Sequence, residues 1–147
     1  MTDVVREGVF FLNGKDFDNA GVASSEIKAI LEQMGVDRSI IRRVAIASFE
    51  AEMNTIIYAP AGILRYKITS DFIKVEFDDV GPGIEDIDLA MKEGYSTAPD
   101  YIRDMGFGSG MGLPNIKKNT DVLKISSQPG VGTNVKFIIN LKIDETS

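Results

Sequence analysis

Two strand-turn-strand patterns constrain the fold of this chain most strongly. Residues 63–69 and 72–77 are rich in β-branched and aromatic side chains, and a Ser-Asp dipeptide separates them. Residues 122–127 and 133–141 repeat this arrangement around a turn that contains proline and glycine. Such runs, each joined by a short turn, are typical of β-hairpins. The sequence therefore predicts a largely antiparallel sheet.

The remaining segments include a further strand and helices that the spacing of apolar residues indicates. Asp18 or Asn19 is a candidate N-cap for a helix that runs to about Met34. Asp37 is a candidate N-cap for a second helix, which extends to about Tyr58. The other predicted elements are a first strand at 4–12, a short helix at 86–92, a long loop at 94–110 and a third long helix at 110–119.

The order of these elements predicts the fold class. A strand, two helices, a hairpin, a loop with a helix and a second hairpin are typical of an α+β fold. We expect a two-layer α/β sandwich, in which a mostly antiparallel, mixed sheet is covered on one face by helices. A length of 147 residues fits one domain over the whole chain.

The composition excludes several classes of function. The chain has no cysteine and no histidine, so thiolate chemistry and imidazole bases are excluded. Its net charge of −6 disfavours nonspecific binding to nucleic acid. The chain has no apolar run long enough for a membrane span, and its N-terminus lacks the features of a signal peptide. We therefore expect a cytoplasmic protein with neither a nucleic-acid nor a membrane partner.

Three features are candidates for chemistry. Glu50 and Asn54 are four residues apart in the second predicted helix, so both side chains share one face. Residues 78–83 place two carboxylates and two glycines at the end of a strand, where backbone can approach a ligand. Residues 106–113 place four alternating glycines before a helix, an arrangement that suits phosphate. Taken singly, these features also fit a surface polar pair, a plain turn and a flexible linker.

In this order, the segments resemble the motifs of the Bergerat-fold (GHKL) ATPases. Residues 50–54 resemble the N box, 79–83 the G1 box and 106–113 the G2 box, while 130–133 resembles the closing Gly-Thr element. The motif aligns on Glu50 and Asn54, so Glu52 is treated as incidental. Within the superfamily, 93–97 and 112–117 are similar to the switch-protein and anti-sigma serine/threonine kinases.

The resemblance implies a role for each motif residue. Asn54 would bind Mg²⁺ through its amide oxygen, and Glu50 would accept the proton of the attacking hydroxyl. Asp79 would accept a hydrogen bond from the adenine amino group of ATP. Arg103 would reach the γ-phosphate, although an exposed surface arginine is equally consistent with the sequence. The other residues implied in nucleotide binding are Gly81, Gly83, Thr97, Gly106, Gly108, Ser109, Gly110, Met111, Gly112, Leu113 and Thr133.

The resemblance leaves three functions to compare. The first is an ATP-dependent serine/threonine kinase that phosphorylates a small antagonist of the STAS type, with a sigma factor or a phosphatase as a further partner. The second is a regulator that binds a protein in an ATP-dependent way without transfer. The third is an ATP-binding domain that acts with a separate histidine-containing partner. Glu50 favours the first, because a pure binding site needs no base. A homodimer is compatible with all three.

Overall fold

The computed structural model describes residues 3–92 and 112–142. The strands are β1 (Val4–Asn13), β2 (Ala61–Thr69), β3 (Phe72–Asp79), β4 (Val122–Gln128) and β5 (Gly132–Asn140). These five strands form one sheet in the order β1-β2-β3-β5-β4, and all four pairings between neighbours are antiparallel. The predicted hairpins are confirmed as β2 with β3 and β4 with β5.

The helices lie on one face of this sheet. They are α1 (Val22–Gln33), α2 (Arg38–Tyr58), α3 (Ile87–Ala90) and α4 (Gly112–Asn119), and a 3-10 turn spans Phe17–Asn19. The long helix α2 contacts four of the strands, and α1 and α4 pack against α2. The α+β two-layer sandwich predicted from the sequence is therefore confirmed. Among the described helices, none is long and apolar enough to cross a membrane.

The core lies between the sheet and α2. Alternate residues of the central strands, such as Leu64, Val75 and Phe137, are buried against the helices. Helix α2 contributes the buried side chains of Val44 and Ala51 among others. Burial of one face of each layer is the main source of stability for such a sandwich. The opposite face of the sheet carries the other alternate residues, and none of the described helices covers it.

The predicted start of α2 is confirmed, but that of α1 is wrong. Asp37 caps α2, because its carboxylate accepts a hydrogen bond from the Ser39 amide at 3.0 Å. Helix α1 begins instead at Val22, after Gly21, whose φ of 92° suits glycine. The predicted loop at 94–110 lies outside the described residues, and the helix expected from residue 110 is described from residue 112 onward.

Candidate functional site

Glu50 and Asn54 converge on the first residue of α4. A β-carbon added to Gly112 would lie 3.2 Å from Asn54 Oδ1 and 3.4 Å from Glu50 Oε2. The absence of a side chain at Gly112 thus leaves the Asn54 amide and the Glu50 carboxylate beside the N-terminal backbone of a helix. The first amides of a helix have no partner within it, and they attract anions. The structure thereby brings together two of the sequence-predicted motifs.

Glu50 is a half-buried carboxylate held by α4. Asn115 Nδ2 donates to Glu50 Oε1 at 3.5 Å, a long hydrogen bond. Burial raises the pKa of the Glu50 carboxyl above its ordinary value, and the hydrogen bond from Asn115 opposes part of that rise. A carboxylate with a raised pKa is a stronger proton acceptor than an exposed one. Asn115 lies one turn after the glycine motif and was not among the predicted site residues.

Asp79 is half-buried at the end of β3. Its Oδ1 accepts a hydrogen bond from the Thr133 amide at 3.0 Å. Burial raises the pKa of the Asp79 carboxyl, and the negative charge of Asp78 raises it further. Hydrogen bonds from the backbone amides of Thr133 and Gly81 lower this pKa and so oppose part of the rise. Thr133, from the closing motif, and Gly81 therefore both fix the carboxylate that was predicted to accept from adenine.

Two glycines allow α2 and Asp79 to approach each other closely. A β-carbon at Gly62 would lie 2.5 Å from Thr55 Cγ2 and 3.3 Å from Asp79 Cβ. A β-carbon at Gly81 would lie 3.0 Å from both Ala59 Cβ and Asp79 Oδ1. Because Thr55 directly follows Asn54, these contacts hold the N box beside Asp79. Gly62 was missed, although an isolated glycine inside a strand often marks such close contact.

The loop after Asp79 is tied to the turn between β4 and β5. The Gly130 amide donates to the Pro82 carbonyl at 2.7 Å, and the Ile84 amide donates to Ser127 Oγ at 2.6 Å. Between these contacts Gly83 has a φ of 75°, a backbone conformation that favours glycine. Ser127 Oγ also lies 2.9 Å from Thr133 Oγ1. The structure therefore joins the G1 loop to the closing Gly-Thr element; nothing in the strand pattern marks Ser127 for this role.

The structure tests only part of the predicted glycine loop. Leu113 is buried in the core and only 8% exposed, so its side chain serves packing. Gly112, described above, lies at the centre of the site. The predicted residues outside the described part of the chain are Thr97, Arg103, Gly106, Gly108, Ser109, Gly110 and Met111.

Glu52 has a structural role that the sequence analysis missed. It is only 1% exposed, and its carboxylate accepts from the amides of Gly21 and Ser24 at 3.0 Å each. Glu52 thus satisfies the free amides at the start of α1, where Gly21 has no side chain to do so. Asn19, one of the predicted caps, is bonded instead to Asp16. Glu52 also lines a cavity of about 210 Å³ beside β1 that none of the candidate site residues lines.

We expect Glu52→Ala to lower the free energy of unfolding by about 1–3 kcal/mol, because the buried Ser24 amide and the partly buried Gly21 amide lose their acceptor. Glu26→Ala is the matched control, since Glu26 is exposed on α1. Urea denaturation measures both variants. An equal, small change in the two variants would contradict the capping role of Glu52.

Comparisons with known proteins identify a matching family and several relatives. Residues 37–143 match the family described as histidine kinase-, DNA gyrase B- and HSP90-like ATPases. The chain is 29% identical to the serine/threonine-protein kinase RsbT of Bacillus subtilis, over 74% of this chain and 79% of the relative. It is 31% identical to an anti-sigma F factor of Clostridium beijerinckii, over 88% of this chain and 90% of the relative. An anti-sigma F factor of a Thermoanaerobacter species is 32% identical to it, over 81% of this chain and 83% of the relative.

Proposed function

The chain belongs to the histidine kinase-, DNA gyrase B- and HSP90-like ATPase family, and we propose that it is an ATP-dependent serine/threonine kinase acting on a small STAS-type protein. The observation that carries the proposal is the Glu50 carboxylate, positioned with Asn54 beside the start of α4. Phosphoryl transfer requires mainly positioning and charge neutralisation, with a base for the attacking hydroxyl. The names of the relatives, a serine/threonine kinase and anti-sigma factors, are consistent with this activity.

Each described site residue has a part in this reaction. Asp79 accepts from the adenine amino group, and Gly81, Gly83 and Thr133 shape the surroundings of the base. The free amides at the start of α4, beginning at Gly112, bind phosphate oxygens. Glu50 accepts the proton of the serine or threonine hydroxyl as its oxygen attacks the γ-phosphorus and the bond to the ADP oxygen breaks. The predicted phosphate contacts at 106–111 and Arg103 complete the site in this proposal.

The donor groups around Asn54 fit a magnesium ion. Mg²⁺ takes oxygen ligands, few of them from protein, and keeps water and phosphate oxygens in its other positions. Asn54 Oδ1 supplies one such oxygen beside Gly112, where the missing side chain leaves space. The ion neutralises phosphate charge when it is bound. We therefore assign Asn54 as the magnesium ligand of the site.

Transfer is expected to fall as the pH is lowered, starting at a higher pH than the ordinary glutamate pKa of 4.5 implies, because burial raises the pKa of Glu50. The base works only when it is deprotonated. Single-turnover transfer at saturating ATP measures this profile. Residual transfer by Glu50→Gln should lack the fall, and a profile shared by the parent and this variant would contradict the assignment.

The same pKa shift has the opposite effect on folding stability. Because the pKa of Glu50 is higher in the folded chain, protonation stabilises the fold. The stabilising contribution of protonated Glu50 to the free energy of unfolding is complete at pH values below the ordinary glutamate pKa. It is lost as the pH rises through the raised pKa of the folded chain. Glu50→Gln, which carries no charge, should therefore be at least as stable as the parent at neutral pH, so any loss of transfer cannot come from unfolding.

The second and third functions remain as alternatives with distinct chemical outcomes. A clamp retains a partner only in the presence of ATP and transfers no phosphate. A domain that serves a histidine-containing partner yields phosphohistidine, which is labile in acid, whereas phosphoserine and phosphothreonine survive acid. Incubating the chain with labelled ATP and a STAS-domain protein, followed by acid treatment, separates all three. Acid-stable label on the acceptor is the result that our proposal requires.

We further propose that one ATP-binding kinase domain spans the chain and that two copies pair through β1. This strand is at the edge of the sheet, so one side of its backbone pairs with no other described strand. Exposed strand edges are prone to pair with another strand. Val9 and Phe11 on β1 are 53% and 78% exposed, which adds apolar surface at this edge. A sigma factor or a phosphatase is the remaining candidate partner.

A further inference from the structure

The face of the sheet opposite the helices carries a cationic patch. Cross-strand register places Lys67 of β2 directly opposite Lys74 of β3, and Lys124 of β4 directly opposite Lys136 of β5. Arg65 and Glu76 form the pair next to Lys67 and Lys74. On this face the paired positions carry five cations and three carboxylates, although the chain as a whole carries a net charge of −6. We call the five side chains Arg65, Lys67, Lys74, Lys124 and Lys136 the basic face.

The pairing on the basic face does not favour folding. Side chains directly opposite each other on neighbouring strands are about 4.5–5.5 Å apart at Cβ, and like charges there are destabilising. Two lysine pairs therefore oppose the stability of the sheet, although Lys67 also faces the carboxylate of Glu7 in β1 and Lys136 also faces that of Glu76 in β3. Within the described part of the chain, Lys67, Lys74 and Lys124 form no ion pair. A ligand with negative charge would relieve this repulsion.

The charge of the basic face is not uniformly positive, because the carboxylate of Glu76 lies among its cations. This carboxylate lies 3.8 Å from both Arg65 and Lys136 and accepts a hydrogen bond from Asn134 at 2.8 Å. Asp78 is exposed on the same face, opposite Asn134. Carboxylates among the cations disfavour a continuous phosphate backbone. Discrete acidic side chains on a protein surface can instead meet the lysine pairs and avoid Glu76.

A second copy does not complement this surface. Face-to-face association would bring one basic face against another, and like charges across an interface disfavour binding. The candidate catalytic side chains lie on the opposite side of the sheet, where α2 and α4 pack. A molecule on the basic face would therefore leave the nucleotide site accessible.

We propose that the basic face is a docking surface for an acidic segment of a partner protein, separate from the nucleotide site. This inference goes beyond the kinase function and does not depend on it. The segment presents carboxylates to the Lys67–Lys74 and Lys124–Lys136 pairs. Its binding is expected to weaken as salt is added, because the contacts are between exposed charges.

Binding of a fluorescent helical peptide with glutamates along one face tests the proposal. Fluorescence anisotropy with the whole chain is expected to show saturable binding of this peptide, and none of a matched peptide with glutamines. Lys74→Glu combined with Lys124→Glu should lower the affinity about tenfold or more, because two attractions become repulsions. Lys74 is chosen rather than Lys67 because its other cross-strand neighbour is Ile138, whereas Lys67 also faces Glu7. The matched control is Lys28→Glu with Arg38→Glu. These residues are exposed on α1 and α2, and the change in net charge is the same.

The double reversal on the basic face also reports on folding. It converts both repulsive lysine pairs into opposite-charge pairs, so the urea midpoint is expected to equal or exceed that of the parent. A lower midpoint would mean that the lysines serve the fold, and it would overturn the proposal. So would an equal loss of affinity in the control, no binding of the acidic peptide, or tighter binding to single-stranded DNA or to anionic phospholipid vesicles. Asp79→Asn should leave peptide binding unchanged, which separates this test from that of the kinase.

Discussion

Glu50→Gln is expected to lower phosphate transfer by about 10²–10⁴-fold while leaving ATP affinity unchanged, since a general base contributes an effect of that size. Glutamine keeps the shape of the side chain and an oxygen that can accept from Asn115. It removes only the basic carboxylate. Single-turnover transfer and equilibrium ATP binding, measured on the same preparation, give the two quantities.

Asn54→Ala provides the contrast that separates chemistry from binding. This substitution removes the proposed magnesium ligand, so metal-dependent ATP binding and transfer are expected to fall together. Glu50 and Asn54 lie one turn apart on α2 and meet the same glycine, so general disturbance of the site would affect both variants alike. Transfer by Glu50→Gln at the parent's rate would show that Glu50 is not the base.

Asp79→Asn is expected to reduce ATP affinity by about 10–100-fold, the equivalent of a lost hydrogen bond to a charged group at 1.5–3 kcal/mol. The asparagine oxygen can still accept from the Thr133 amide, as Asp79 Oδ1 does at 3.0 Å. Its amide nitrogen then presents a donor where the adenine amino group is itself a donor. The preference for ATP over GTP should narrow, because guanine has an oxygen acceptor at that position.

Asp78→Asn is the matched control for this substitution. Asp78 directly precedes Asp79 in β3, but it is exposed on the opposite face of the sheet. The chemical change and the strand are the same, so this variant measures the effect of losing one charge from the end of β3 without changing the group proposed to meet adenine. Isothermal titration with ATP and with GTP measures both variants. If Asp79→Asn binds ATP as tightly as Asp78→Asn does, Asp79 does not recognise adenine.

Local patterns in the sequence predicted most of the fold. Both hairpins follow from runs of strand-forming residues around short turns, and the start of α2 follows from Asp37, whose side chain caps the helix within its own first turn. These signals lie within a few residues of the structure that they specify. The order of the motifs then indicated the Bergerat fold, which the family match confirms.

Contacts between residues far apart in the chain could not be predicted in this way. The start of α1 depends on Glu52, a residue of the next helix whose carboxylate replaces the local cap. Likewise, Ser127 joins the loop after β3 to the closing turn, although its place in an alternating strand is unremarkable in sequence. Asn115 reaches Glu50 only because α4 packs on α2. Such partners become visible only once tertiary packing is known.

The most direct measurement of the central claim is transfer of labelled γ-phosphate from ATP to a STAS-domain protein, with and without a metal chelator. We predict acid-stable label on the acceptor in the presence of magnesium, and its loss with chelator, because the proposed mechanism needs an ion on Asn54 to neutralise the phosphates. ATP-dependent retention of the acceptor with no label at any time would contradict the kinase and would support the clamp.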